Sequence, residues 1–585
     1  MTKNQNLETP MELVQYLYSR LAQLGIGTVY GSLFEYDNSI VAAASKAGLK
    51  YARSFNEVHA AFAADAYARV KGISALITTH SSPESTANDI LFGAHADNIP
   101  VVHIVGYPST KQDENREIIR RLLRQGQIGS IDQAFAYNSA VVLGIFDHIA
   151  YAPRRIDDAL SDCLISSRPV YIGLPMAYAK CLVEGKLLQS PVFRAVPRND
   201  PRKEEHVTEV ILRYLVSAKD PVIIVDGGVI RQAIQSQVQE FVKRTKLPTF
   251  VTIEGRHAID ASLPNHGGLY AGLQSAPGIK ERVDASDLVI QFGALKTHVN
   301  TTRHLHFLKF HNKIEIYMDE HLVGRTISYG LRARGLLKSI LSRLDEVDLN
   351  PGPVPQSGGI DDPLHRLDFN PQNDDDELIT RDVLCLRIMK WMRDGDLLIN
   401  HFPIEDAQNY VHHPIWERKD VSFGACLGAC CSASELGSTS RVIVLIDTAS
   451  FQHASRELAT ILSLGLCAIV FVCREELLTE DSDDDSVEER SANLADPDFF
   501  APDLRAHGQY KGHSISTMRQ LEDLLANESF ASPICVQLVE LFLHTVEKTT
   551  DKHISKDSTI VECDTKINTN KEEDDDDCSE CDNVQ

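Results

Sequence analysis

The chain predicts an α/β protein built from three doubly wound parallel-sheet domains, and three observations carry that prediction. Short apolar runs alternate with helical periodicity along most of its length. A stretch rich in Pro, Gly and Asp, NPGPVPQSGGIDDP followed by NPQNDDDE, separates the last part from the rest as a linker. At 585 residues, 43% hydrophobic and 24% charged, the chain is globular in composition and too long for one core.

The elements follow in order. An amphipathic helix is expected over MELVQYLYSRLAQLG (11–25), a strand over TVYG (28–31), an alanine-rich helix over NEVHAAFAADAYARVKG (56–72), and strands over SALITTH, VVHIVGY and PVYIGLP. These make a first domain, residues 1–195. A central domain, residues 196–349, opens on PVIIVDGG and continues through FVTI, LVIQFG and IEIYMD. After the linker (350–377), a third domain at 378–550 repeats the pattern with RVIVLIDTASFQ (441–452), a helix over RELATILSLG (456–465) and a strand over LCAIVFVC (466–473). Residues 551–585 read as a disordered acidic tail.

Charge and cysteine usage narrow the class. The formal charge of −24 is concentrated: residues 480–490, an acidic insertion, carry −6 and residues 571–585 carry −7. Both read as solvated segments, and the balance argues against nucleic acid as a partner. No apolar run approaches the ~18 residues of a membrane span, and MTKNQNLETPMELVQ lacks a secretory pattern, so no membrane association and a cytoplasmic location are expected. Of twelve cysteines, Cys426, Cys430, Cys431, Cys467 and Cys473 lie in apolar stretches and read as reduced core residues. In the tail, Cys578 and Cys581 could pair on a metal or in redox chemistry, but no second pair lies nearby.

The order and spacing of NEVHAAFAADAYARVKG (56–72), SRPVYIGLP (167–175), FVTIEGRHAIDASLPNHGGLYAG (250–272) and ASDLVIQFGAL (285–295) make the chain resemble the thiamine-diphosphate-dependent 2-oxo acid decarboxylases of the pyruvate and indolepyruvate type, from about Met11 to Phe542. The resemblance implies the pyruvate decarboxylase-like fold, with a pyrimidine-binding first domain and a diphosphate-binding third. In that chemistry a thiazolium ring attacks the keto carbon of a small 2-oxo acid, carbon dioxide leaves, and the ring holds the resulting charge. It also implies thiamine diphosphate with magnesium as cofactors, bound between the first domain of one subunit and the third of another. A homodimer or homotetramer follows, or a pairing with a paralogous subunit.

Residue roles follow from the same resemblance. Glu57 matches the glutamate that meets the aminopyrimidine ring, where a buried carboxyl must share a proton with a ring nitrogen. As a helix-opening residue after Asn56, it could equally offset the helix dipole. The family's Gly-Asp-Phe-Asn turn falls on Phe34, Glu35, Tyr36 and Asp37, which keeps a carboxylate one methylene longer. The family's histidine pair falls on Arg120 and Arg121, which stay protonated; proton relay is lost there while holding of a substrate carboxylate is not. A solvated pair beside Arg124 is the alternative. The isoleucine that keeps the cofactor bent aligns with Phe423, whose bulk would crowd the thiazolium.

The third domain departs furthest. The family ends this strand with Gly-Asp-Gly-Ser; here Asp447, Thr448, Ala449 and Ser450 stand in those places, anchored by Ser450, Gln452 and Glu457. The metal aspartate becomes Thr448, the asparagine pair after the next strand becomes Arg474 and Glu475, and the following glycine becomes Leu477. Magnesium needs hard oxygen ligands in a near-octahedral shell, and Thr448 offers a neutral hydroxyl. Glu475 could supply the carboxylate instead, or Asp447 could reach in through a shifted turn. Arg474 could pair directly with a diphosphate or face solvent. Two functions stay open: a diverged non-oxidative decarboxylase or carboligase, and a catalytically inactive relative acting as cofactor sensor or regulatory subunit. A nicotinamide dehydrogenase is a poor third, because no G-x-G-x-x-G follows a first strand.

Overall fold

The computed structural model describes residues 10–32, 38–79, 82–107, 139–142, 149–192, 198–349 (apart from 253–254, 256–257, 271, 273–274, 276–277, 295–312, 319 and 348), 352–354, 379–400 (apart from 394), 422–476 (apart from 438–439) and 507–544. Almost all of the linker, both acidic segments and the tail therefore lie outside the described residues. Three sheets dominate what is described.

The first begins with a two-residue strand β1 (Met11–Glu12) and helix α1 (Leu13–Gln23). The helix starts two residues later than the periodicity alone predicts, because Met11 and Glu12 pair with β8 (Leu182–Val183) and the Leu13 amide bonds Cys181 O. The main sheet is parallel, with strands β2 (Thr28–Ser32), β3 (Lys50–Ser54), β4 (Ser74–Thr79), β5 (Val101–Tyr107), β6 (Ser139–Val142) and β7 (Val170–Pro175) in the order β3-β2-β4-β5-β7-β6. Helix α2 (Glu57–Lys71) starts where Asn56 caps the His59 amide and stops at Gly72, whose φ of +94° is open to glycine at little cost.

The central sheet runs β9 (Pro221–Val225), β10 (Thr249–Val251), β11 (His266–Leu269), β12 (Leu288–Phe292), β13 (Lys313–Ile316), β14 (Glu320–Val323) and β15 (Thr326–Tyr329) in the order β11-β10-β9-β12-β13-β14-β15. Its first five strands are parallel; β14 and β15 close the edge antiparallel, a hairpin absent from the expected element order. Helices α3 (Pro201–Ser217), with Asp200 accepting from the Arg202 and Lys203 amides, and α4 (Ala333–Arg343) cover it.

The third sheet is parallel throughout: β16 (Leu397–Asn400), β17 (Val442–Asp447), β18 (Ile469–Glu476), β19 (Tyr510–Ile515) and β20 (Val536–His544) in the order β16-β17-β18-β20-β19. Val442 to Ile446 are all buried, as a continuous apolar strand covered on both faces requires. Helix α5 (Ser422–Leu436) carries Gly424 and Gly428, and α6 (Thr448–Ser463) follows β17.

One core cluster joins the first and third sheets through α2 and α5. The small residues of the two helices explain the join. A Cβ on Gly428 would stand 2.0 Å from Ala63 O, and one on Gly424 would stand 2.6 Å from His59 O. Only glycine lets the backbones approach so closely, and the alanines of α2 supply a smooth surface to meet them. The cysteines behave as expected for reduced core residues: Cys426, Cys430, Cys431 and Cys473 are buried, Cys467 is partly so, and all are free thiols. Among the described residues, no helix is long and apolar enough to cross a membrane.

Candidate functional site

Two helix starts hold five of the residues singled out in the sequence, Glu57 at one and Asp447, Thr448, Ala449 and Ser450 at the other. The first is the start of α2, which follows β3 and lies beside the end of β2. Glu57 occupies the first turn of α2 and is 4% exposed. Its Oε1 accepts a 2.6 Å hydrogen bond from Ser32 Oγ at the end of β2. The Ser32 hydroxyl gives one oxygen of this buried side chain the partner that burial requires. Tyr51 lines the same region, its hydroxyl donating to Ser32 O at 3.3 Å; burial above all, then the opposing pull of Arg53, and then Glu57 leave its phenol pushed up to about 12. Ser32 was not among the sequence candidates, since a serine ending a short strand carries no signal of its own.

A second missed residue ties this junction to the third sheet. Glu457, on α6, is fully buried, and its Oε2 accepts from the Phe55 amide at 2.8 Å and lies 3.4 Å from His59 Nδ1. Thr460 Oγ1, one turn on, donates to Arg53 O at 2.8 Å. The carboxylate of the third sheet thus holds the approach to α2 two residues before Glu57. The sequence carried a faint signal, a lone glutamate in the apolar helix RELATILS, used above only as an alignment anchor.

The second helix start is the β17–α6 turn. Asp447 is the N-cap of α6: its Oδ1 accepts from the Ser450 amide at 2.6 Å. Thr448 Oγ1 donates to Cys473 O at 3.2 Å. Ala449 is exposed and Ser450 is buried. Beside them, β18 does not stop at Cys473 but continues through Arg474 and Glu475, paired with Phe542 and Leu543 of β20. Arg474 lies 3.7 Å from Glu540 Oε1, with its guanidinium 5.7 Å from the Phe542 ring centre. Phe423, at the start of α5, is fully buried, its ring edge-on to Phe451 at 5.7 Å within the core.

Glu35, Arg120, Arg121 and Leu477 lie outside the described residues, as does the side chain of Glu475. Among the described residues, no group of three or more His, Cys, Asp or Glu side chains is placed to hold a metal ion. The two ends differ accordingly in what they fit. At α2, a buried carboxylate held by one hydroxyl suits a ring nitrogen that shares a proton. At α6, a neutral threonine hydroxyl turned to a carbonyl and a carboxylate that caps the helix offer magnesium a poorer set of hard oxygens than a carboxylate free to face it.

Three parallel-sheet units with a buried acid, Glu57, at one helix start define an α/β scaffold able to hold a ligand beside a sheet, and comparison with known proteins gives the family. Residues 11–135 match the family profile described as "Thiamine pyrophosphate enzyme, N-terminal TPP binding domain", and residues 208–344 match "Thiamine pyrophosphate enzyme, central domain". The chain is similar to a pyruvate decarboxylase of Aspergillus terreus, 31% identical over 549 residues covering 92% of this chain and 95% of that one. Similar too are a pyruvate decarboxylase of Aspergillus fumigatus, 32% identical with the same coverage, and pyruvate decarboxylase isozyme 3 of Saccharomyces cerevisiae, 28% identical over 91% of this chain and 95% of that one. The chain belongs to the thiamine-diphosphate-dependent decarboxylase family.

Proposed function

We propose that the chain is a diverged non-oxidative 2-oxo acid decarboxylase, or a related carboligase, that works through a thiamine-type ring held at Glu57. The observation that carries this reading is the Glu57 carboxylate, buried at the start of α2 and bonded to Ser32. When bound, the thiazolium ring supplies the electron sink for the charge left on a 2-oxo acid as carbon dioxide departs. Glu57 holds a proton against the pyrimidine nitrogen, and Ser32 fixes the carboxylate in place for it. Tyr51 keeps its phenol protonated there, so it presents a neutral wall. By the resemblance, Arg120 and Arg121 would hold the substrate carboxylate, and Glu35 would supply the carboxylate of the family's acidic turn. Two chains, identical or paralogous, would close the site between them, as the resemblance implies.

A second reading is favoured by the β17–α6 turn, where Thr448 stands in place of the family's metal aspartate, with Arg474 and Glu475 in place of its asparagine pair. On that reading the chain is a non-catalytic relative that senses cofactor or regulates an active paralogue. One assay separates the two. Carbon dioxide release is measured from pyruvate and from larger 2-oxo acids, with the cofactor supplied. Release from at least one acid above the protein-free rate supports the enzyme; no release, in a protein that still binds the thiamine ring, supports the regulatory relative.

A further inference from the structure

Polar groups at the β17–α6 turn and on the strand beside it are already engaged within the protein. Asp447 Oδ1 takes the Ser450 amide at 2.6 Å, Thr448 Oγ1 is turned to Cys473 O at 3.2 Å, and Arg474 faces Glu540 at 3.7 Å. The amides at the start of α6 are the groups a diphosphate would approach, drawn by the dipole of a 16-residue helix. That positive end already carries a carboxylate of its own. An incoming diphosphate, bearing about three negative charges at neutral pH, would meet a like charge bonded to an amide it needs, with no described metal set to neutralise either. Ala449 puts a side chain where a backbone approach wants a glycine.

The mismatch is confined to this end, because the reacting atoms of the cofactor are in its rings and the diphosphate serves as anchor. We propose that Asp447 is the resident anion of α6, and that the chain takes the unphosphorylated thiamine ring at Glu57 in preference to the diphosphate. The proposal rests on the ring-side reading of Glu57 and specifies which form of the ligand that site accepts.

Calorimetric titration of the full chain with thiamine and with thiamine diphosphate, both in magnesium-containing buffer, tests it in the wild type and in Asp447→Asn. Asparagine caps a helix about as well as aspartate, so the variant removes the charge and keeps the fold. The wild type is expected to bind thiamine at least as tightly as the diphosphate. Asp447→Asn is expected to tighten diphosphate binding by tenfold or more while moving thiamine by less than threefold. Wild-type binding of the diphosphate a hundredfold tighter than thiamine would overturn the proposal and leave the ring-side reading standing, as would unchanged diphosphate affinity in the variant. Failure of both ligands to bind either protein would overturn the ring-side reading and the proposal together.

Discussion

The starts of α2 and α6 are built alike and differ by one position. Each follows a parallel strand, and each carries a carboxylate beside the helix amides. At α2 the cap is the neutral Asn56, so Glu57 in the first turn is left to meet Ser32 and whatever ring approaches. At α6 the cap is itself the acid, and Asp447 turns its carboxylate inward on the helix. A carboxylate one residue inside a helix start can serve a ligand; at the cap position it serves the helix. Glu457 and the glycines of α5 join the two regions, so the difference between them reflects local side chains and not a loosened fold.

The largest effect should come from removing the acid that remains available. Glu57→Gln keeps the shape and the acceptor for Ser32 but cannot share the proton, and carbon dioxide release should fall by about a hundredfold or more. An unchanged rate would erase the distinction drawn between the two carboxylates. The next test attacks the joint. Gly428→Ala places a methyl against Ala63 O, and separation of α5 from α2 should cost about 1–3 kcal/mol, read as a fall of several degrees in Tm. Glu457→Ala removes the buried acceptor of the Phe55 amide and should cost about 1–3 kcal/mol; a loss confined to stability, with ring binding unaltered, would show that the α6 carboxylate anchors α2 without orienting Glu57.

A titrating side chain that neither helix start uses supplies a further test. His103, fully buried on β5 with Thr78 Oγ1 2.8 Å from its Nε2, is pushed by burial down to about 3. Its folded value lies below its unfolded value near 6.5, so its contribution is whole above pH 6.5 and is lost as pH falls from there toward 3, by about 1.4 kcal/mol per unit. His103→Gln can bond Thr78 without titrating, and its Tm should fall less than that of the wild type between pH 7 and pH 5.

How much of this was legible depended on range. Helix α2 matched its expected bounds within a residue, because Asn56 and Gly72 are local signals. Helix α6 was expected at 456 and begins at Thr448, because Thr-Ala-Ser reads as a turn unless Asp447 is known to cap it. Strand β18 was expected to end at Cys473, since charged residues look like a loop; pairing with β20 carries it to Glu476. Ser32 and Glu457 were invisible as partners because their contacts span 25 and 402 residues of sequence.

The central claim is that the ring end of the site persists while the metal end has gone. Its most direct test is the dissociation constant of thiamine diphosphate for the wild-type chain, measured with magnesium and again with a chelator. The account predicts a change of less than threefold. A loss of a hundredfold or more on chelation, about 2.7 kcal/mol, would contradict it and place a working magnesium shell at Asp447, Thr448 or Glu475.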